Sequence, residues 1–306
     1  LNELYDEKSI LHLSSDVKRS YADNIGNTAI KSVLAEIYTA PKPGLVDPLG
    51  QGCHADMDWH TFTRSAEAIA PYWKRQAITG LLNANPDSAL EKLRATGIEM
   101  ENAMLAATNG INTHKGLIYL LSLLVYGTGI CICRKAELTP VNIVSFASSA
   151  VRGTVERDLV PLKKSCRADK MTHGEKLFIN YGITGIRGEA ERGFPSMLNF
   201  GLPEFKSAIR AGASYNDASL SALLAIMESI EDSNVIHRGG YDFWHDRYRS
   251  IIRDARSEFD PLSGNYAVLE KLENIFIPLR ISPGGAADML SCTIFIYNLI
   301  EPTCQQ

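Results

Sequence analysis

The sequence lacks several features whose absence excludes whole classes of protein. It has no C-x-x-C pair: Cys53, Cys131, Cys133, Cys166, Cys292 and Cys304 are scattered, mostly among apolar neighbours, as reduced intracellular thiols are. Cys131 and Cys133 stand close together, but no second pair accompanies them to complete a zinc site. It has no excess of positive charge. The 31 Lys+Arg residues face 35 Asp+Glu, a net charge of -4, so no global field recruits nucleic acid or anionic lipid, and any anion site must be local. It has no apolar signal core: positions 1–24 mix Glu3, Asp6, Glu7 and Asp16 with Lys8, Lys18 and Arg19, which points to a cytoplasmic chain. Residue 1 is Leu rather than Met, so a trimmed or processed start is expected. It also has no membrane-length apolar run. The stretch Leu117–Cys133 covers 17 residues, short of the roughly 20 a span requires, and is broken by Ser122, Gly127, Thr128 and Gly129; it reads as a helix through the core.

Strand-like alternation is nearly absent, as are repeats, low-complexity tracts and Pro/Gly/Ser linkers, so one domain over residues 1–306 is the expected organisation. What is present is helical periodicity. Phe62, Ala66, Ile69 and Ala70 make one apolar face, Leu90, Leu93, Gly97, Met100 and Met104 a second, and Leu220, Leu223, Leu224 and Met227 a third. With 45% apolar and 22% charged residues, the chain predicts an all-α, single-domain multi-helix bundle whose glycine-rich connections form the site. Helices are expected near 20–39, 58–82, 87–109, 115–134, 139–163, 204–212, 216–230, 241–258, 265–277 and 284–300.

Five connections concentrate chemistry. Pro41–Asp47 is a stiff turn running into Gly52–Asp58, and together they present Lys42, Asp47, His54, Asp56 and Asp58; taken alone, the segment also reads as a polar loop with Asp56 or Asp58 capping the next helix. Glu101, Met104 and Thr108 share one helical face ahead of Asn109–Gly116. There, Asn112, His114 and Lys115 at a helix N-terminus suggest a phosphate cradle, with a plain Asn or Thr cap as the bland alternative. Tyr181–Pro195 sets four glycines around Arg187, Glu189, Glu191 and Arg192; Arg187 reaches Glu191 at i, i+4, with Glu189 on another face. Glu231 to Gly240, with Asp232 in it, gathers acid, amide, His237, Arg238, Gly239 and Gly240. Ser282–Asp288 reads as an N-cap, a Pro at N1, and Gly284 and Gly285 opening the last helix.

In this order, the segments resemble the triphosphoribosyl-dephospho-coenzyme-A synthase family, which serves citrate lyase and, in a close branch, malonate decarboxylase. The matching stretches are Lys42–Asp47, Gly52–Met57, Ala107–Gly116, Arg187–Glu191, Asp232–Asn234, Arg238–Gly240 and Ser282–Gly285. Gly50 stands where an Asn is usual, Cys53 where a small Ala is usual, and Ile111 replaces Val. The resemblance implies an all-helical cytoplasmic transferase that joins ATP to 3'-dephospho-CoA, releases adenine and passes its product to a separate carrier-protein transferase. It leaves room for a homodimer and gives no reason to expect nucleic acid or membrane as a partner.

Displacing adenine from a ribose C1 passes through an oxocarbenium-like centre, so carboxylates, a base and Mg²⁺ with Lys or Arg for the triphosphate are expected. The expected catalytic groups are His54, Asp56, Glu189, Glu191 and Asp232, with Asp56, Glu189, Glu191 and Asp232 also as Mg²⁺ ligands. Lys42, Asn112, His114, Lys115, Arg187, Arg238, Gly239, Gly240, Ser282, Gly284 and Gly285 are the expected nucleotide contacts. The rival readings are a helical Mg-dependent phosphohydrolase built on the His245–Asp246 dyad, a ribosyl glycohydrolase and a non-catalytic helical scaffold.

Overall fold

The computed structural model describes residues 13–82, 85–161 and 171–301; Cys166 and Cys304 lie outside them. The described residues form thirteen α-helices and contain no β-strand, only an isolated bridge between Asp47 and Gly50. Buried apolar residues from Ala22 to Tyr297 belong to one continuous cluster, so the helices share a core.

The first half is built around α4 (Lys115–Cys133). Helices α1 (Ser15–Tyr38), α2 (Trp59–Leu81), α3 (Pro86–Ala107) and α5 (Pro140–Ser149) all pack on it. Helix α4 runs to 19 residues, so by length and composition it could cross a bilayer, but 83% of its apolar stretch is buried inside the fold. The glycines that interrupt it let neighbouring helices approach. A Cβ at Gly129 would sit 2.6 Å from the Ala77 carbonyl of α2, and one at Gly127 would collide with the Ile143 carbonyl of α5.

The second half holds α6 (His173–Tyr181), α7 (Gly185–Glu191), α8 (Leu202–Ala211), α9 (Tyr215–Ser229), α10 (Ser233–Gly239), α11 (Arg249–Glu258), α12 (Ala267–Leu279) and α13 (Gly284–Ile300). Helix α13 packs against α1, α4 and α9 and joins the halves. Three of these, α6, α7 and α10, are absent from the expected set; each has nine residues or fewer, too short for a clear 3.6-residue pattern. The expected helix over 139–163 is instead α5, which ends at Ser149, followed by a separate π-helical turn at Val155–Leu159. Further π-helical turns at Met197–Gly201 and Phe243–Tyr248 lead into α8 and α11.

Asp58 caps α2: its Oδ1 accepts from the Thr61 amide at 2.8 Å and the Thr61 hydroxyl answers the Asp58 amide, a capping box. Gly44, at φ 72°, has no room for a Cβ because the Ile281 carbonyl lies there. This contact holds the turn after α1 against the link between α12 and α13.

Candidate active site

The connections enclose a cavity of about 1140 Å³. Its wall comes from the end of α1, the loop 42–57, the N-terminus of α4, α7, α10 and the start of α13. Of the expected residues, Lys42, His54, Asp56, Asn112, His114, Lys115, Arg187, Arg238, Ser282, Gly284 and Gly285 line it. Sequence reasoning assigned no site role to Glu36, Glu101, Arg280 or Asp288, which line it too. Arg280 caps α12 in the left-handed conformation at φ 54°, a position where charge patterning gives no signal.

Three of the four rim cations stand unpaired. Among the described residues, Arg187, Arg238 and Arg280 make no ion pair, although Arg238 donates to the Arg280 carbonyl at 3.2 Å. Lys115 pairs with Glu101 at 3.0 Å, and its amide donates to Asn112 Oδ1 at 3.2 Å, although the N-cap of α4 is His114. His54 Nε2 lies 2.9 Å from the Ser282 hydroxyl, and its Nδ1 is 3.8 Å from Asp56. Burial, and then the field of Arg238, lower the His54 pKa, so the ring is neutral near pH 7. Ser282 therefore fixes a histidine; the N-cap of α13 is Pro283.

Deeper in, the groups are buried and mostly neutral. Lys42, expected at a phosphate, is only 3% exposed and gives its ammonium to Glu36 Oε1 at 2.5 Å and to the Glu36 carbonyl at 2.7 Å. Burial pulls His114 down to about 3, with the Lys42 charge adding to the effect, so it is a neutral imidazole rather than a phosphate-binding cation. Its Nδ1 meets the Ser65 hydroxyl at 2.6 Å, while its Nε2 is buried without a partner.

The structure moves other expected residues away from the cavity. Asp232 is an anchor between two helix starts: Oδ1 accepts from the Asn234 and Val235 amides at 2.9 and 3.4 Å, and Oδ2 from the Ala286 amide at 3.0 Å. Gly285 lies against that carboxylate, which a Cβ would approach to 3.1 Å. Glu189 Oε1 accepts from the Ser196 amide at 2.7 Å and the Ser196 hydroxyl at 2.5 Å. Glu191 does not pair with Arg187; it accepts from the Gly153 and Val155 amides at 2.7 and 2.8 Å and ties down the π-helical turn at Val155–Leu159. Gly239 packs against Phe243 and Ile281, and Gly240 ends α10 at φ 86°, so neither faces the cavity. The four expected Mg²⁺ ligands do not converge, and among the described residues no three His, Cys, Asp or Glu are grouped to hold an ion. The rival dyad, His245 Nδ1 2.7 Å from Asp246 Oδ1, lies on the open surface, with side chains 61% and 67% exposed.

The model of the ATP:dephospho-CoA triphosphoribosyl transferase family matches residues 22–306. The chain belongs to this family. A protein of Streptococcus equi subsp. zooepidemicus named probable 2-(5''-triphosphoribosyl)-3'-dephosphocoenzyme-A synthase is 36% identical over 287 residues, 89% of this chain and 95% of that protein. A protein of Vibrio cholerae with the same printed name is 35% identical over 282 residues, 90% of this chain and 88% of the relative. No solved structure matches the chain. As a family member the chain is a transferase, and its all-α fold agrees with what the resemblance implied.

Proposed function

We propose that the cavity joins the ribose of ATP, through C1, to the 2'-hydroxyl of 3'-dephospho-CoA and frees adenine, giving the precursor of the citrate lyase prosthetic group. The carrying observation is a cavity of about 1140 Å³ rimmed by three guanidiniums that have no carboxylate partner. Pockets for one small molecule run to about 1,000 Å³, and this one lies just above that range, as suits substrates as large as ATP and 3'-dephospho-CoA. Unpaired arginines are the groups that bind phosphates through two parallel hydrogen bonds.

His54 is the proton acceptor at the rim. It is neutral, fixed by Ser282, and next to the guanidinium of Arg238, which would draw a phosphate of either substrate. Asp56 at 3.8 Å favours the imidazolium formed when the attacking hydroxyl loses its proton. Mg²⁺ enters as part of the ATP complex. The scattered carboxylates do not make a resident site, whereas a Mg²⁺ held chiefly by phosphate oxygens and water needs only one or two protein carboxylates. The product then goes to a separate carrier-protein transferase, and both steps belong in the cytoplasm, where ATP and coenzyme A precursors are made. The malonate decarboxylase branch would use the same cavity and chemistry.

Chromatography of protein with ATP, Mg²⁺ and 3'-dephospho-CoA should show adenine appearing in step with a heavier coenzyme derivative. ADP or phosphate without adenine would refute the transferase reading, and adenine without coupled product would indicate a ribosyl glycohydrolase.

A further inference from the structure

The cavity is polar in two different ways. At its rim the polar groups are exposed cations, Lys115, Arg238 and Arg280. At its inner end they are buried groups without partners. His114 Nε2 and Ser291 Oγ are both sealed from water and make no hydrogen bond, and both residues line the cavity. Asp288, one turn before Ser291 on α13, lines it as well and accepts no hydrogen bond from any described residue. Its Oδ2 rests against Gly116 on α4, where any Cβ would collide with it. Two sealed polar atoms left unsatisfied, beside a half-buried carboxyl that also accepts no hydrogen bond, mark the place of a missing hydrogen-bonding ligand, because an unpaired buried polar atom costs about 1–3 kcal/mol.

The ligand's chemistry follows from the charges. Glu36 on α1 and Asp232 ahead of α10 both act on Asp288, and Lys42, the buried cation of this wall among the described residues, is already paired with Glu36. A triphosphate would meet carboxyl groups here and guanidiniums at the rim, so it stays at the rim. A flat, uncharged heterocycle with ring nitrogens suits the inner end, where Phe62 and Leu117 supply apolar wall. Burial, with the charges of Glu36 and Asp232 adding, pushes the Asp288 acid well above the ordinary carboxylate range, so it enters as a neutral acid able to donate.

We propose that the inner end is the pocket of the departing adenine, and that Asp288 hydrogen-bonds a ring nitrogen of that base and gives it a proton as the glycosidic bond breaks. The proposal rests on the transferase reading above. The bond between C1 of the ribose and N9 of the base breaks, its electron pair leaves with the base, and the Asp288 proton neutralises it. The bond from C1 to the acceptor oxygen forms while His54 takes the hydroxyl proton. One proton is given and one received, and exchange between the two residues through solvent restores the enzyme.

The test compares leaving groups. Wild type and Asp288→Asn are assayed with 3'-dephospho-CoA and either ATP or its N7-methylated analogue, whose base is already cationic and departs neutral without a proton. The substitution should slow release of adenine by about a hundredfold or more, and release of the methylated base by less than about tenfold. Equal slowing overturns proton donation. Two further measurements do not depend on that analogue. Free adenine should compete with ATP and not with 3'-dephospho-CoA, and Ser291→Ala, which removes a single buried oxygen, should weaken adenine binding about three- to tenfold by calorimetry. Competition only with 3'-dephospho-CoA, or undiminished adenine binding by Ser291→Ala, overturns the base pocket. Release of ADP or phosphate by wild type would instead overturn the transferase reading, so the two failures are distinguishable.

Discussion

The stretch Arg187–Glu191 and the start of α13 make a useful contrast. The first is rich in charge and looks like a site, yet its two glutamates spend their oxygens inside the fold: Glu189 on the Ser196 amide and hydroxyl, Glu191 on the Gly153 and Val155 amides. Only Arg187 of the two charged types turns to the cavity. The start of α13 is plain, a Pro, two glycines and small residues, yet it carries Asp288, a half-buried cavity carboxyl that accepts no hydrogen bond from the described residues. Density of charge along a chain therefore says less about chemistry than whether each group's hydrogen bonds are already met inside the fold.

The largest effect that tests this contrast is metal removal. If Mg²⁺ arrives with ATP, chelation should abolish activity and leave the melting temperature of the free protein unchanged. A melting temperature that falls on chelation would return Glu189 and Glu191 to a resident metal site. Next come the rim cations. Arg238→Ala and Arg280→Ala should each raise the KM for a phosphorylated substrate about 10- to 100-fold, with kcat little changed, because each removes a charge-assisted phosphate contact. Steady-state kinetics with each substrate varied in turn would show it, and a fall in kcat at unchanged KM would contradict a binding role. Smaller still is the effect at Glu191. Glu191→Gln should cost about 1–3 kcal/mol of stability by chemical denaturation, since it weakens the acceptor for two amides, and should leave the turnover of folded enzyme intact. Loss of turnover without loss of stability would make Glu191 part of the chemistry.

The fold class and the long helices α1 to α4 were legible in the sequence because each offers several turns of apolar spacing. The short α6, α7 and α10 and the π-helical turns were not, since they are placed by tertiary contacts such as the Glu191 tie. Most rim residues could be found from Gly- and Pro-flanked polar segments: His54, Asp56, Lys115, Arg187 and Arg238 all reach the cavity. The inner end was hidden for a physical reason. Lys42 and His114 have the residue types of phosphate ligands, but burial turns one into half of an ion pair with Glu36 and the other into a neutral ring. Asp288 sits inside an apolar helix, where spacing alone marks it as an oddity of the core.

The smallest predicted effect probes that buried ring directly. In the folded chain His114 titrates at about 3, whereas an imidazole in the unfolded chain titrates near its ordinary value of 6.5. Between those values the unfolded state binds a proton that the folded state refuses. Stability contributed by His114 is therefore fully present above about pH 6.5 and is lost as the pH falls, at up to about 1.4 kcal/mol per pH unit. Glu36, Asp232 and Asp288 act in the opposite sense: burial raises each, so they favour the folded state at low pH and lose that contribution as pH rises through their folded values. Comparing His114→Gln with wild type by urea denaturation at pH 6.5, 6.0 and 5.5 subtracts the carboxyl contributions common to both. Glutamine can still hydrogen-bond Ser65, so the variant should fold, and its stability should fall less steeply with acid than that of wild type. Parallel slopes would mean that His114 takes up its proton in the folded state as readily as in the unfolded one. The inner end of the cavity would then be open to water and resemble the rim, against the contrast drawn between them.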